Sequence, residues 1–502
     1  MSKIFESLRM RRPGFSAFDL SHEVKLSCNM GSLIPVLTQE IVPGDVFNCN
    51  TEVMVRFSPM IAPVMHRINV YVHYFFVPNR IVWDQWEEFI TGGQDGDSTP
   101  AMPTITMNNF NNSVGQLGDY MGIGYGVSGT TYQVEVNALP FRAYQEIYNE
   151  YYRDETLQDP IDWTVEGSAA TLRTRCWEKD YFTSALPWTQ RGAEVGVPLT
   201  FNPQQNQPDE VYWTTTNPPT LVTTAGDVQN TAAGQITSGA TNLPSTIDNS
   251  ASLDITINDL RQTSRLQEWL EKNARGGYRY IEQLLSHFGV RSSDARLQRP
   301  EYLGGSRQPV VISEVLNTSA TATQEQGTMA GHGIAVGAAN RAKRRFEEHG
   351  WLFGIMSILP RTAYQQGVPR HFLRTDKLDY YFPEFAHLGE QEIKQLELYY
   401  DKTQDQATNE ATFGYQQRYA EYKYGCSRVA GDFRDTLDYW HMGRIFGSAP
   451  ALNSTFVQSD PTTRIFAVET GDQLWCQVYN DVKARRPMPY FKIGRASCRE
   501  RV

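Results

Sequence analysis

Two kinds of hydrophobic pattern alternate along the chain. In the first, apolar and polar residues exchange places at every step. Val24, Leu26, Cys28 and Met30 alternate with Glu23, Lys25, Ser27 and Asn29, and Val53, Val55 and Phe57 alternate with Glu52, Met54 and Arg56. A period of two predicts strands with one dry face and one wet face. Pro43-Gly44-Asp45, between them, carries the chemistry of a turn. The second pattern is continuous. The stretch HRINVYVHYFFVPNR, His66 to Arg80, puts Ile68, Val70, Val72, Tyr74 and Phe76 on one face and Tyr71, Phe75 and Val77 on the other. Both faces are largely apolar, which predicts a strand covered on both sides. WLFGIMSILP, Trp351 to Pro360, predicts a second apolar strand.

Helical spacing interrupts the strands. NRIVWDQWEEFITGG predicts a short helix stopped by glycines, with Ile81, Trp86 and Phe89 on one face. In LPFRAYQEIYNEYYRD, Pro140 suits a first helical turn, and Phe141, Tyr144, Ile147, Tyr148 and Tyr151 recur at three and four. NDLRQTSRLQEWLEKNARGG predicts a helix from a capping Asn258 to Gly276-Gly277. The fold class expected is mainly β, with long loop and helical insertions. For 502 residues, length alone is compatible with roughly three domains. A β-sandwich with long insertions also runs that far as one unit.

Charge changes this picture locally. The net charge is −10, so contact with nucleic acid must come from a local patch or a separate basic partner. The first 14 residues are such a patch: Lys3, Arg9, Arg11 and Arg12 stand against the single Glu6. Residues 81–141 and 192–260 contain no Lys or Arg, and each carries seven acids. The second stretch is rich in Thr, Asn, Gln, Gly and Pro and has little to pack, which predicts a surface insertion, either a solvated loop or a recognition surface. No apolar run is long enough to span a membrane. The start, MSKIFESLRMRRPGF, is too charged for a signal peptide, so a reducing cytoplasm is the expected site of synthesis. Cys28, Cys49, Cys176, Cys426, Cys476 and Cys498 are scattered without a CxxC pair, which points to neither a zinc site nor a disulfide framework. The final stretch, Lys492 to Val502, breaks with the rest. One back-translation of it matches a sequencing adapter in frame, so 492–502 is read as a non-native tail.

Motifs of catalysis do not assemble. His66 and His73 are seven apart, so a regular strand sends them to opposite faces, where they cannot grip one metal. HEVKL at His22 has Leu26 where a zinc-protease HExxH needs its second histidine. GHGIAVG at Gly331 lacks the GxGxxG spacing and is read as close backbone packing or a flexible connection. DFRDTLD places Asp432, Asp435 and Asp438 at helical spacing and is read as a solvated helix face. No GxSxG elbow occurs, and with 56 acids a glycosidase pair cannot be nominated. RAKRR, Arg341 to Arg345, is read as a solvated loop paired with Glu347 and Glu348, or as a phosphate contact. No catalytic residue, metal site or cofactor is expected.

Several blocks resemble the major capsid proteins of gokushoviruses, single-stranded DNA phages of the Microviridae. They include FDLSHEVKLSCNMGSLIPV, VYVHYFFVPNRIVW, LPFRAYQEIYNEYYRDE, RTRCWEKDYFTSALPW and FEEHGWLFGIMSILPRTAYQQGVPRHF, in order along the chain up to about Phe491. The resemblance implies an eight-stranded antiparallel viral jelly roll over 1–491. It implies assembly into a T = 1 icosahedral shell around circular single-stranded DNA, hence a virion protein assembled in the cytoplasm of a bacterial host. It implies as partners a small basic DNA-associated protein, a pilot protein, a scaffolding protein and a host surface receptor. It assigns 197–252 to a variable surface protrusion. On this reading Lys3, Arg9, Arg11 and Arg12 help neutralise the packaged DNA; packing of the arm beneath a neighbouring subunit is the competing role. The alternative from another class is a carbohydrate-binding β-sandwich or glycoside hydrolase.

Overall fold

The structure, a computed structural model, describes residues 14–488 apart from 95–96, 108–112, 125–133, 194, 196–210, 214–219, 223–256, 278, 317–328, 339–340, 387–388 and 469. The chain divides into two compact units, Met1–Thr189 with Gly276–Val502, and Gln190–Arg275.

The first unit is mainly β and is built on two antiparallel sheets. Its strands are β1 (Ser16–Asp19), β2 (His22–Cys28), β3 (Ile34–Ile41), β4 (Val46–Phe57), β5 (Ile68–Pro78), β6 (Glu301–Pro309), β7 (Val311–Leu316), β8 (Met329–Ala338), β9 (Ala342–Arg345), β10 (Gly350–Pro360) and β11 (Leu474–Arg486). In the larger sheet β11 lies beside β4 along nearly its whole length. β1 and β2 share the far edge of β11. β8 and β9 share the far edge of β4, and β7 closes the sheet beside β8. The smaller sheet has four strands in the order β6-β5-β10-β3. The predicted strands around Val24, Val53, Val70 and Ile355 are all present.

One core fills the space between the sheets. Phe47, Cys49, Val53, Val55 and Phe57 of β4 and Val478 and Val482 of β11 meet Val70, Val72, Tyr74 and Phe76 of β5 and Met356 and Ile358 of β10. Burying each large apolar side chain contributes about 1.5–3 kcal/mol. A polar chain crosses this apolar layer. The Tyr74 hydroxyl donates to Thr51 Oγ1 at 2.6 Å, Thr51 Oγ1 donates to Asn480 Oδ1 at 2.9 Å, and Asn480 Nδ2 donates to the Val36 carbonyl at 2.8 Å. Tyr74, Thr51 and Asn480 are fully buried, and the chain ties β5, β4, β11 and β3 together in one register. Gly333 of β8 lets the backbone approach the Phe57 ring: a Cβ there would lie 2.9 Å from it. The run GHGIAVG is thus a closely packed strand segment. Gly44, with φ +95°, makes the turn between β3 and β4.

The second face of the four-stranded sheet is covered as well. Phe75 and Val77 of β5 and Phe353 and Ile355 of β10 pack against α3 (Leu139–Ile147), reached through α1 (Asn79–Val82) and α2 (Trp86–Thr91). The predicted single helix after Asn79 is split, because Trp83 folds into this layer and takes an extended backbone. Its ring meets Phe89 at 5.2 Å, and Gly92 caps α2 at φ +79°. α3 uses its predicted stripe: Phe141, Tyr144, Ile147 and Tyr148 are buried, and the Tyr144 hydroxyl donates to the Leu33 carbonyl at 2.9 Å. The last turn widens to a π-helix over Tyr148–Tyr152, which turns Tyr152 inward to the sheet and leaves Tyr151 at the rim.

A third core cluster gathers Tyr181, Phe182, Tyr364, Ile393, Leu398, Phe413, Phe456 and Val457, mostly from the long connection between β10 and β11. In the second unit, Val211–Trp213 pairs with Thr220–Val222; α4 spans Ile257–Gly276, so the helix is present but Asn258 lies within its first turn and does not cap it. The rest of the predicted protrusion, 197–252, lies outside the described residues, as does the tail 492–502.

Candidate nucleic-acid and assembly surfaces

The second face of the larger sheet is open to solvent. Along β11, Leu474, Cys476, Val478, Asn480, Val482 and Ala484 point into the core, so Trp475, Gln477, Tyr479, Asp481, Lys483 and Arg485 point away from it. Antiparallel register carries this division across the sheet, since directly opposed residues share a face. Lys483 opposes Asn48 and Arg485 opposes Val46. On the other side of β4, Lys343 opposes Asn48 and Arg345 opposes Val46. Four cations therefore stand on one face at one end of the sheet, in two rows of two. Asp481 pairs with Lys483 at 3.5 Å, and Asp19 opposes Lys483 from β1. Among the described residues, Lys343, Arg345 and Arg485 have no ion-pair partner. The Arg485 guanidinium instead lies over the ring of Phe15, 5.2 Å from its centre, and Phe15 is 44 % exposed.

The predicted arm residues Lys3, Arg9, Arg11 and Arg12 lie outside the described residues. From Gly14 the chain enters β1, whose Ser16 opposes Arg486 and whose Ala17 opposes Arg485. The arm thus joins the sheet at its cationic end.

RAKRR is not the solvated loop expected. Ala342–Arg345 is an edge strand, and its side chains alternate with the sheet: Ala342 is buried opposite Cys49. Arg344 pairs with Glu301 at 2.9 Å, and Glu348 pairs with Arg80 at 2.6 Å, so the expected pairing with Glu347 and Glu348 does not form. The apolar Ala342 within a basic run was the available signal for a strand. Nothing in the sequence brought Lys483 and Arg485 to it.

The two histidines of the His66–Arg80 stretch have separate surroundings, His66 just before β5 and His73 within it. His66 Nε2 lies 2.6 Å from the Arg361 carbonyl. His73 Nδ1 lies 2.9 Å from the Tyr152 hydroxyl, its ring stacked on Tyr152 at 6.0 Å. Burial first, and the Arg175 charge second, push the His73 imidazole down to about 4. Asp432, Asp435 and Asp438 are not on a helix face: two short 3-10 turns, Gly431–Arg434 and Asp438–Trp440, carry that segment. Three-residue spacing suited a helix, but Gly431 at φ +70° starts a tighter turn.

A further surface belongs to the β10–β11 connection. Phe372, Tyr380, Tyr381, Phe382, Tyr422 and Tyr424 are all exposed. Arg374 lies over the Tyr422 ring at 4.2 Å and pairs with Glu421 at 2.8 Å, which holds part of this aromatic patch in place. Exposed aromatic side chains are enriched at protein–protein surfaces. No helix among the described residues is long and apolar enough to cross a membrane.

A double-layered antiparallel sandwich with a cationic sheet end and an aromatic flank is the make-up of a subunit built to associate. Comparison with known proteins gives that class its name: the family model described as "Capsid protein (F protein)" matches residues 5–494. The chain belongs to this phage capsid family, among the gokushovirus major capsid proteins of the Microviridae. It is 34% identical to capsid protein VP1 of Chlamydia phage 1, over 95% of each chain. It is 36% identical to capsid protein VP1 of Bdellovibrio phage phiMH2K, again over 95% of each. Against capsid protein VP1 of Spiroplasma virus 4 the identity is 30%, over 98% of this chain and 99% of that one. Its role is structural, as part of the virion, and not enzymatic. The carbohydrate-binding or glycoside hydrolase alternative is set aside on this ground.

Proposed function

We propose that the chain is the repeating subunit of a T = 1 icosahedral shell that encloses a circular single-stranded DNA genome. The observation that carries this reading is the capsid family match over residues 5–494. The eight-stranded viral jelly roll is the finer reading of the fold. Its support is the order of strands: β2, β11, β4 and β8 are neighbours in one sheet, and β3, β10, β5 and β6 in the other. Successive strands from β2 to β5, and again from β8 to β11 leaving out the edge piece β9, cross from sheet to sheet. Residues 1–491 are then one capsid domain, 197–252 an outer protrusion for host attachment, and 492–502 a non-native tail. Lys3, Arg9, Arg11 and Arg12 contact the packaged DNA through its phosphates, without reading bases. The small basic DNA-associated protein, the pilot protein and the scaffolding protein join the shell in the bacterial cytoplasm, and a host surface receptor meets the protrusion.

Electron microscopy of the purified protein tests the shell: uniform icosahedral particles are expected, and a persistent monomer at high concentration overturns it. Removing 205–250 tests the protrusion. Shells should still form while host attachment is impaired; loss of assembled subunit would show that the segment belongs to the shell itself.

A further inference from the structure

We infer that the open face of the seven-stranded sheet, at the end where β1 joins it, is a binding platform for the phosphodiester backbone of a single-stranded nucleic acid. Lys343, Arg345 and Arg485 are the phosphate-binding groups. The inference rests on the genome reading above and adds a site on the folded sheet, distinct from the arm.

Geometry is the first argument. Lys343 and Arg345 are two residues apart on β9, about 7 Å along the strand. Arg485 lies across β4 from Arg345, two strand spacings or roughly 10 Å away. Backbone ladders to β4 hold both strands, so the spacing of their Cα atoms is set before any ligand arrives.

Charge is the second. A cation kept for stability is normally found with its counter-charge, as Arg344 is with Glu301 and Arg486 with Asp45 at 3.2 Å. Those two point to the core side of the same strands. On the open side Lys483 has Asp481, while Lys343, Arg345 and Arg485 have no ion-pair partner among the described residues. The sheet thus neutralises its inward cations and leaves a row of outward ones. Asp19 and Asp481 both stand beside Lys483, so the platform begins at the Arg345–Arg485 row and includes Lys343, leaving Lys483 out.

The third argument selects a single strand. Phe15 offers an exposed ring beside Arg485. Unstacked bases pack on such rings, whereas a duplex presents phosphates with its bases already stacked. An acidic protein segment would use the cations and have no use for the ring.

The test uses the full chain and a labelled oligothymidylate as probe, with binding measured across a salt series. Each phosphate contact on a single strand contributes about −0.7 to the slope of log affinity against log salt. Replacing Lys343, Arg345 and Arg485 together by Gln should flatten the slope by about 2. Swapping them for Arg, Lys and Lys should keep it, which separates lost charge from a damaged sheet. Phe15→Ala should weaken oligothymidylate binding and leave the slope unchanged. Polyglutamate should bind more weakly than oligothymidylate, with no response to Phe15→Ala. An unchanged slope in the Gln variant, with a flattened slope for Arg9, Arg11 and Arg12 replaced by Gln, would overturn the platform and leave the arm reading standing. The reverse pattern would support the platform and remove the arm. No change in either variant would defeat both. Equal binding of polyglutamate, insensitive to Phe15, would overturn the choice of nucleic acid.

Discussion

The two sheets share one core and differ in what lies behind them. The four-stranded sheet is backed by α3 and the aromatic layer around Trp83, so β5 and β10 are apolar on both faces. The seven-stranded sheet has nothing behind it in the first unit's core clusters, and β4 and β11 alternate strictly. The difference teaches where selection for folding stops. A covered face is constrained by packing at every position. An open face is free to carry charge, and here its end carries cations without ion-pair partners among the described residues.

The comparison breaks most readily at the covered face. Phe141→Ala empties a fully buried site between α3 and the four-stranded sheet. We expect a loss of about 3–5 kcal/mol in denaturant unfolding of the subunit. Trp475→Ala, on the open face, should stay within about 0.5 kcal/mol in the same experiment. Equal losses would mean that the open face is covered too.

Acid should find the covered face next. The His73 value is depressed from 6.5 to about 4, so its neutral form stabilises the fold fully above about pH 6.5. That contribution disappears as pH falls through about 4, and its ceiling is about 3 kcal/mol. A thermal melt series from pH 7 to pH 4 should therefore show a steeper decline for the natural protein than for His73→Gln. Identical profiles would show that His73 titrates as a solvated histidine.

A smaller effect is expected where the sheets meet. Asn480→Leu removes the link between Thr51 and the Val36 carbonyl and leaves buried polar groups without partners. The expected cost is about 1–3 kcal/mol. Adding Thr51→Val should recover part of it, a non-additivity readable in a double-mutant cycle. The smallest effect belongs to the cations. Lys343→Gln and Arg345→Gln should each change stability by less than about 0.5 kcal/mol, because neither side chain takes part in packing. A larger loss would make them structural and weaken the platform.

Much of the framework was legible before any coordinates. The two-sided apolar run at Ile68–Pro78 became the strand shared by both core layers, and its even and odd positions fell into the two clusters as alternation requires. The α3 stripe was legible for the same reason, because a period is a local property. The split after Val82 was not, since Trp83 breaks the helix to reach a layer formed by residues far along the chain. Of the two readings of RAKRR only the loop fails, because charge density outweighed one alanine and the pairing of β9 with β4 is a long-range fact. The reading of Lys3, Arg9, Arg11 and Arg12 as a basic arm rests on their net charge alone, and they lie outside the described residues.

The sequence by itself determined the strands around Val24, Val53, Val70 and Ile355, the chief helices and, through blocks spread along the chain, the capsid family. Those signals are periodic or local, and each stretch carries its own. Only the tertiary structure decided which faces are open. Lys343 and Arg345 lie about 140 residues before Arg485 in the sequence. They become a row because β4 holds β9 on one edge and β11 on the other, with Asn48 and Val46 as the shared register points. A cross-strand neighbour is set by register, and register is fixed by how the buried faces interlock.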